Sequence, residues 1–197
     1  MKTNFITSFA LLVLSSALSA QSIFNGYAYV SDTTAGTDTI WYNLNGTGQS
    51  SSFQGADLGD FNTNLWLGGQ QGFWHTGQFT EYVRMGYEIS GAATATGTIN
   101  YSFQSANNQD DQYGTDVNGS VSSDLSVDLI AAHSLAAGDY SISIYVEGKA
   151  NNLAAIYDSN NSNNYNATFT VVPEASTYAL FAGLGALAFV LIRRLKQ

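Results

Sequence analysis

The chain has 197 residues, contains no cysteine and carries a formal net charge of −9 at pH 7. Residues 21–172 hold fourteen Asp and Glu side chains against Arg84 and Lys149 alone, which gives this region a formal charge of −12. A surface this acidic argues against nucleic acid as a partner, because phosphate binding needs a basic face. Without cysteine there is no disulfide framework, so burial and backbone pairing must supply the stability.

Residues 1–20 have the pattern of a secretory signal peptide. Lys2 precedes an apolar run over residues 5–18, and small residues follow before Gln21. We predict cleavage between Ala20 and Gln21, with a cut one residue earlier, after Ser19, as the alternative. The apolar run is too short to favour an uncleaved membrane anchor.

Residues 21–171 are enough for one domain with a substantial core, and their pattern predicts an all-β fold. No sustained helical period occurs, whereas apolar and polar residues alternate in runs separated by Gly, Asn, Asp and Ser. Each predicted strand has one apolar and one polar side, which is typical of antiparallel sheets packed face to face. We therefore predict an antiparallel β-sandwich of roughly eight to ten strands.

The predicted strands begin with three in the less regular N-terminal half, over residues 23–30, 39–44 and 64–67. The glycines at 46, 48, 68 and 69 are interpreted as tight turns, because no helix follows to make a phosphate cradle. The clearest strand covers residues 81–90, with Val83, Met85, Tyr87 and Ile89 toward the core and Tyr82, Arg84 and Glu88 outside. Four later strands are predicted in the same way. The core residues of the first two are Ile99, Tyr101 and Phe103 near 97–104, and Val121, Leu125, Val127 and Leu129 within 119–129, where Asp124 and Asp128 face water. The core residues of the last two are Tyr140, Ile142, Ile144 and Val146, and Tyr165, Ala167, Phe169 and Val171.

Two short segments support the sandwich architecture by resemblance. Leu135, Gly138 and Tyr140 resemble the Leu-x-x-Gly-x-Tyr corner of immunoglobulin-like and fibronectin-like sandwiches, which implies a hydrogen bond from the tyrosine hydroxyl to the upstream backbone. Residues 163–171 resemble the closing strand of bacterial adhesion-type sandwich modules. Both resemblances concern the architecture and imply no particular activity.

The residues that could carry hydrolytic chemistry do not form a site in the sequence. His75 and His133 are the only histidines and lack a spaced Cys or carboxylate partner, so neither a zinc site nor a nucleophile triad is predicted. We expect His75 to be an exposed strand-end residue. Glu81 and Glu88 are seven apart in one predicted strand, so they face opposite sides and cannot flank one sugar ring.

An acidic segment over residues 105–119 is a candidate calcium site. Hard oxygen ligands are dense there, as a metal with six to eight oxygen ligands requires. The spacing fits no EF-hand, and a solvated acidic turn is the competing interpretation. The four candidate ligands are Asp110, Asp111, Asp116 and Asn118.

Aromatic side chains lie close together between residues 64 and 76. If exposed on one sheet face, Trp66, Phe73 and Trp74 could stack on sugar rings and make the domain a carbohydrate-binding module. The competing interpretation is that they fill the core, since large aromatic side chains dominate sandwich cores.

The tail, residues 172–197, has the composition of a membrane anchor. No charge occurs over residues 175–192, and eighteen helical residues span about 27 Å, close to the thickness of a thin hydrocarbon core. We predict a transmembrane helix over residues 177–192. Arg193, Arg194 and Lys196 then mark the cytoplasmic end, which places the preceding domain across the inner membrane.

The motif before this helix consists of Val172, Pro173, Glu174, Ala175 and Ser176. Together with the apolar helix and the terminal arginines, it resembles the PEP-CTERM sorting signal of Gram-negative bacteria, although Ala175 replaces the usual second proline. The resemblance implies recognition by an exosortase, a membrane cysteine protease that removes the anchor and sends the protein to the cell surface or extracellular matrix. The alternative is a plain tail anchor, in which Pro173 sets the backbone before the helix and Glu174 favours its N-terminus.

Two functional classes follow from the sequence. The first is a non-catalytic surface or matrix protein with a structural or adhesive role, exported, anchored and then sorted. The second is a carbohydrate-binding, or less readily a carbohydrate-acting, β-sandwich module with extracellular polysaccharide as its partner. No cofactor is expected apart from the calcium considered above.

Overall fold

The computed structural model describes residues 20–33, 39–46, 51–76, 79–107, 110–114, 116–117, 120–121 and 125–173. These residues form a β-rich fold of two main sheets with one short helix. The predicted signal peptide before Ala20 and the predicted membrane helix lie outside them. Within the described ranges, no helix has the length and apolar character needed to span a membrane.

Fifteen strands and one helix are described, more than the eight to ten strands that the alternation suggested. In chain order they are β1 (Gln21–Ser31), β2 (Ile40–Asn43), β3 (Ser51–Ser52), β4 (Ala56–Phe61), β5 (Trp66–His75), β6 (Thr80–Gly91), β7 (Ala95–Asn100), β8 (Ser102–Asn107), β9 (Asp110–Gly114), β10 (Asp116–Val117), β11 (Ser120–Val121), β12 (Val127–Asp128), α1 (Leu129–His133), β13 (Gly138–Ala150), β14 (Ile156–Asp158) and β15 (Tyr165–Val171).

Sheet I has the strand order β3-β2-β1-β5-β9-β8, with β12 also paired to β5. Sheet II has the order β4-β15-β13-β6-β7, with β14 also paired to β13. A small hairpin of β10 and β11 completes the described strands. The inner faces of both sheets contribute to one cluster of buried apolar side chains, so the architecture is sandwich-like.

The predicted core faces of the strongest strands are confirmed. On β6, Val83, Met85, Tyr87 and Ile89 are all buried. The predicted sets on β13 and β15 are likewise buried, from Tyr140 to Val146 and from Tyr165 to Val171. These strands pair with each other in the middle of sheet II, and the period of two therefore places a continuous apolar layer against sheet I.

The prediction of purely antiparallel sheets is wrong, because both sheets are mixed. The final strand β15 pairs in parallel with β4, and β2 pairs in parallel with β3. The β4 strand was also missed, since its segment around Gly59 has little alternation. Alternation within a strand reveals which face is buried but not the direction of its neighbour.

The predicted strand near residues 97–104 is in fact two strands in different sheets. β7 pairs with β6 in sheet II, whereas β8 pairs with β9 in sheet I. The chain crosses between the layers at Tyr101, which is buried together with Ile99. Phe103, expected in the core, is 57% exposed because it lies beyond this crossing.

The predicted strand over residues 119–129 is also wrong. Within residues 120–121 and 125–129, the part of the segment that the structure describes, two short strands, β11 and β12, precede α1, which begins at Leu129. Asp128, expected to face water, is buried and caps α1, accepting hydrogen bonds from the Ile130 and Ala131 amides at 3.1 and 3.3 Å. A side-chain oxygen at this position satisfies backbone donors that the helix leaves unpaired. The position of Asp124 lies outside the described residues.

The tyrosine corner is present. The Tyr140 hydroxyl donates to the Ala136 carbonyl at 2.8 Å, and its ring stacks on Phe169 with centroids 5.2 Å apart. Leu135, the first residue of the motif, is buried. The corner therefore fixes the turn that leads into β13, as the resemblance implied.

The glycines at 68 and 69 do not form a turn. Both are buried inside β5, paired with Tyr29 and Ala28 of β1. A Cβ atom on Gly69 would collide with the Tyr101 side chain and the Tyr27 backbone, so this glycine permits a close approach. The predicted strand over residues 64–67 consequently extends to His75.

We predict that Ile144→Ala destabilises the full-length chain by about 2–5 kcal/mol, because Ile144 has no exposed surface and its truncation leaves a cavity. Ser143→Ala, on the preceding residue and the opposite face of β13, should change the free energy of unfolding by less than about 0.5 kcal/mol. Urea unfolding followed by tryptophan fluorescence measures both. Similar losses for the two variants would contradict the assignment of faces.

Candidate functional site

The most developed polar cluster lies on the outer face of sheet II, away from the core. It comprises Tyr82 and Arg84 from β6, Tyr145 and Glu147 from β13, and Tyr157 from β14. The register places Glu147 opposite Arg84 on one side and opposite Tyr157 on the other. We call these five residues the Glu147 cluster.

Glu147 is the centre of this cluster. It is only 4% exposed although it lies on the outer face. One carboxylate oxygen accepts hydrogen bonds from the Tyr82 hydroxyl at 2.7 Å and the Tyr157 hydroxyl at 3.1 Å. The other accepts two contacts from Arg84, from Nε at 2.7 Å and from a terminal guanidinium nitrogen at 2.6 Å. A buried carboxylate needs this number of donors to offset its lost hydration.

The hydrogen bonds determine the ionisation of the cluster. Burial alone would raise the pKa of Glu147, but the hydrogen bonds from Tyr82, Arg84 and Tyr157 outweigh burial and leave the pKa below its ordinary value. The same hydrogen bonds raise the pKa of the Tyr82 and Tyr157 hydroxyls. Glu147 is therefore a carboxylate with both oxygens occupied, which suits an organising role more than proton transfer.

The aromatic rings of the cluster lie around this carboxylate. The Arg84 guanidinium lies over the Tyr82 ring, 4.4 Å from its centroid, in cation–π geometry. The Tyr145 ring covers the backbone of Gly86, so no Cβ could fit there. Tyr145 and Tyr157 lie 6.1 Å apart at 52°, and Tyr157 is 59% exposed. Tyr157 thus offers a large, oriented aromatic surface to the solvent.

A second ion pair adjoins the cluster. The Lys149 ammonium lies 2.6 Å from a carboxylate oxygen of Glu81, and both side chains are about one-third exposed. Solvent screening makes such a pair worth little stability. Arg84 and Lys149 are the two cations of residues 21–172, and both are neutralised on this face.

Two shallow grooves extend from the cluster along sheet II. The nearer has a volume of about 290 Å³ and is lined by Tyr145 and Glu88 together with Thr96, Thr98, Ser143 and Asn164. The farther, of about 320 Å³, is lined mainly by hydroxyl groups and by Asp57 and Asp139. The outer face of sheet II therefore combines aromatic rings with hydroxyl, amide and carboxylate groups.

The three aromatic residues proposed as a sugar platform do not share one face. Phe73 is fully buried and packs between the sheets, as the core interpretation expected. Trp66 and Trp74 are half-buried on the opposite face of β5, at its two ends. Eight residues of strand separate them by about 27 Å, so they cannot stack on one sugar ring.

The acidic segment is not a loop but is largely strand, since β8, β9 and β10 occupy most of it. Asp111 is half-buried on β9, and its carboxylate accepts a long 3.4 Å hydrogen bond from Tyr113. The side chains of Asp110 and Asp116, and all of Asn118, lie outside the described residues. Where side chains are described, no group of three or more His, Cys, Asp or Glu could hold a metal. Calcium binding stays a prediction.

Neither histidine joins a catalytic group among the described residues. His75 does end a strand, but it is half-buried and not exposed, with Nε2 2.9 Å from the Thr80 hydroxyl. His133 lies 2.8 Å from the Tyr87 hydroxyl at the end of α1. Glu81 and Glu88 are both exposed on β6, and only Glu81 has a described ion-pair partner.

The residues of the predicted signal-cleavage site and sorting tail lie at or beyond the limits of the described residues. Ala20 and Gln21 are described, as are Val172 and Pro173 at the other end. Glu174, Ala175, Ser176, Arg193, Arg194 and Lys196 lie outside the described residues. The sorting motif is therefore seen only as far as its proline.

Sequence reasoning missed the Glu147 cluster. It placed Tyr82 and Arg84 on an outer face, which was right, but it did not use Glu147 or Tyr157. The pairing of β13 with both β6 and β14 brings them together across as many as 75 positions of sequence. One available signal was that Arg84, the single Arg of residues 21–172, lies two residues from Tyr82 on the polar side of a predicted strand.

Comparison with known proteins gives no further constraint. No protein-family model matches the chain, and no curated protein shows significant similarity to it.

We predict that Glu147→Gln lowers the stability of the full-length chain by about 2 kcal/mol at pH 7, because charged hydrogen bonds are lost. The folded pKa of Glu147 is depressed, so the stabilisation is present above the ordinary carboxyl range and disappears as pH falls through the folded pKa. Urea midpoints between pH 2.5 and 7 should therefore converge for wild type and variant at low pH. Glu88→Gln, an exposed change on the neighbouring strand β6, is the control. A difference in urea midpoint between wild type and Glu147→Gln that does not vary with pH would contradict the depressed pKa of Glu147.

We predict that calcium raises the melting temperature only if side-chain oxygens of the segment 105–119 coordinate one calcium ion. In that case, replacing Asp111 and Asp116 by alanine lowers the melting temperature in calcium and changes little in chelator. Asp57→Ala with Asp139→Ala removes the same charge from sheet II and should act equally in both conditions. Identical wild-type melting curves with and without calcium would end the hypothesis.

Proposed function

We propose that this protein is an exported, exosortase-sorted component of the cell surface or extracellular matrix, with a non-catalytic structural or adhesive role. Its sandwich is the exported part, and its two terminal segments are targeting signals. The observation that carries the proposal is the position of the folded domain between those segments. Strand β1 begins at Gln21, next to the expected signal cleavage, and β15 ends at Val171, next to the sorting motif.

The N-terminal junction favours the earlier of the two cleavage positions. The Thr76 amide donates to the Ala20 carbonyl at 2.9 Å, and the Ala20 amide donates to the Thr76 hydroxyl at 3.0 Å. A cut after Ser19 keeps these bonds in the mature protein, whereas a cut after Ala20 removes them. Small residues at 17 and 19 also suit signal peptidase better than Leu18 does.

The C-terminal junction supports processing close to the folded domain. The Val172 amide donates to the Phe61 carbonyl at 2.8 Å, which fastens the start of the motif to the end of β4. Only residues 173–176 then separate the sandwich from the expected helix. Four residues reach at most about 14 Å, so the precursor holds its domain near the membrane surface until the anchor is cut.

A binding role is the second candidate, and the outer face of sheet II favours it. Phe73 is buried, and the two tryptophans are too far apart to share a ligand. The Glu147 cluster instead supplies exposed aromatic surface with polar groups beside it. An adhesive matrix protein needs such a surface, so the two candidate functions are compatible.

The sorting proposal is tested by replacing Pro173 and Glu174 with alanine. Apolar length governs insertion, so the variant should insert normally but escape cleavage and accumulate in the inner membrane at full mature length. Immunoblotting of fractionated cells measures both size and location. Thr177→Ala, outside the motif, should be processed like wild type.

A separate variant distinguishes the helix from the motif. Deleting Arg193 and Arg194 should weaken the cytoplasmic stop, so the tail slips or inserts in the wrong orientation. Unaltered size and location of the Pro173 and Glu174 variant would instead support a plain tail anchor and end the sorting proposal.

A further inference from the structure

We propose that the outer face of sheet II, from Tyr157 across Tyr145 to Thr98, binds a neutral polysaccharide. This inference rests on the proposed adhesive role and supplies its ligand class. It uses the Glu147 cluster and the nearer groove, both of which lie on a face that the core does not need.

The aromatic surface suits a sugar ring. A pyranose has an apolar face of C–H groups that packs on an aromatic ring, while its hydroxyls point outward and need hydrogen-bonding partners. Tyr157 is the most exposed large hydrophobic or aromatic side chain described, at 59%. Tyr145 lies beside it at an angle of 52°, so the two rings form the walls of a corner and not a flat platform.

The rings are held in place before any ligand arrives. The Tyr157 hydroxyl is fixed by Glu147, which is itself fixed by Arg84 and Tyr82. The Tyr145 ring is seated over Gly86. Binding to side chains that are already ordered loses little conformational entropy, and this favours affinity for a ligand with few strong contacts.

Hydrogen-bonding groups adjoin the rings. Gly86 is paired with Tyr145 on one side and with Thr98 on the other, which places a hydroxyl in the same row across the sheet. The groove of about 290 Å³ continues from there with Thr96, Ser143 and Asn164 and with the carboxylate of Glu88. Hydroxyl and amide groups both donate and accept, as the hydroxyls of a sugar require.

Charge on this face favours a neutral polymer over an anionic one. Arg84 is paired with Glu147, and Lys149 is paired with Glu81, so the four charges cancel beside the rings. The surrounding domain carries a formal charge of −12, which repels polyanions. Glu147 is buried and occupied, whereas the exposed carboxylate of Glu88, which lines the groove beside Tyr145, can accept hydrogen bonds from sugar hydroxyls.

The test measures retardation of the full-length chain, in non-ionic detergent, in native gels that contain hydroxyethyl cellulose, dextran or alginate. We expect retardation by at least one of the two neutral polymers and none by alginate. Tyr157→Ala should weaken the apparent affinity about tenfold, because it removes the stacking surface. Tyr157→Phe keeps the ring and should remain within about threefold of wild type.

Phe103→Ala is the matched control, since it removes an equally exposed ring from sheet I and should leave retardation unchanged. Thermal melting of each variant verifies that it is folded. The proposal is overturned if neither neutral polymer retards the wild type, if alginate retards it more strongly, or if Tyr157→Ala and Phe103→Ala behave alike. Cleavage of the tail is measured separately by fractionation, so failure of binding and failure of sorting give different results.

Discussion

The packing of aromatic rings over glycine is the interaction on which this fold depends. Phe73 of sheet I sits against Gly148 of sheet II, where an added Cβ would lie 2.7 Å from the ring. The same arrangement recurs between neighbouring strands for three further pairs, which are Phe24 with Gly72, Tyr87 with Gly97 and Tyr145 with Gly86. Each ring covers the backbone that a glycine leaves open. In a chain without cysteine, the contact of Phe73 with Gly148 brings the two sheets close together, and the other three pairs pack neighbouring strands within a sheet.

Two carboxyl groups, those of Asp158 and Glu147, change the stability of this apolar framework with pH in opposite directions. Asp158 joins the sheets, since it accepts hydrogen bonds from Asn45 at 2.5 Å and Tyr165 at 2.7 Å. Burial raises the pKa of Asp158, so its ionisation costs stability as pH rises above the ordinary Asp range. Glu147 has a depressed pKa and stabilises the fold over the same range. The difference follows from the donors: Asp158 has no cation beside it among the described residues, whereas Glu147 has Arg84.

Local pattern was enough to identify the buried faces of β6, β13 and β15, because period-two alternation is a property of each strand alone. It could not locate the crossing at Tyr101, where the strand pattern continues unbroken while the chain changes sheets. Nor could it distinguish Asp128 as a helix cap from Asp128 as a solvated strand residue. Local pattern could not predict the Glu147 cluster for the same reason. The register between β6, β13 and β14 is set by tertiary packing and not by any one segment.

The register also determines how the proposed signals and the proposed binding face are arranged. Val171, the last strand residue before the motif, pairs with Gly138 at the start of β13, whereas Glu147 pairs with Arg84 nine residues further along. At the rise of a β-strand, nine residues cover about 30 Å. If the tail enters the membrane within a few residues of Val171, as proposed, the Glu147 cluster would lie at the far end of the domain, directed away from the bilayer. The hydroxyl-lined groove with Asp57 and Asp139 lies between them, nearer the tail. A polymer bound at Tyr157 and Tyr145 would consequently be held clear of the membrane, and cutting the anchor would release the domain without disturbing the residues that hold the polymer.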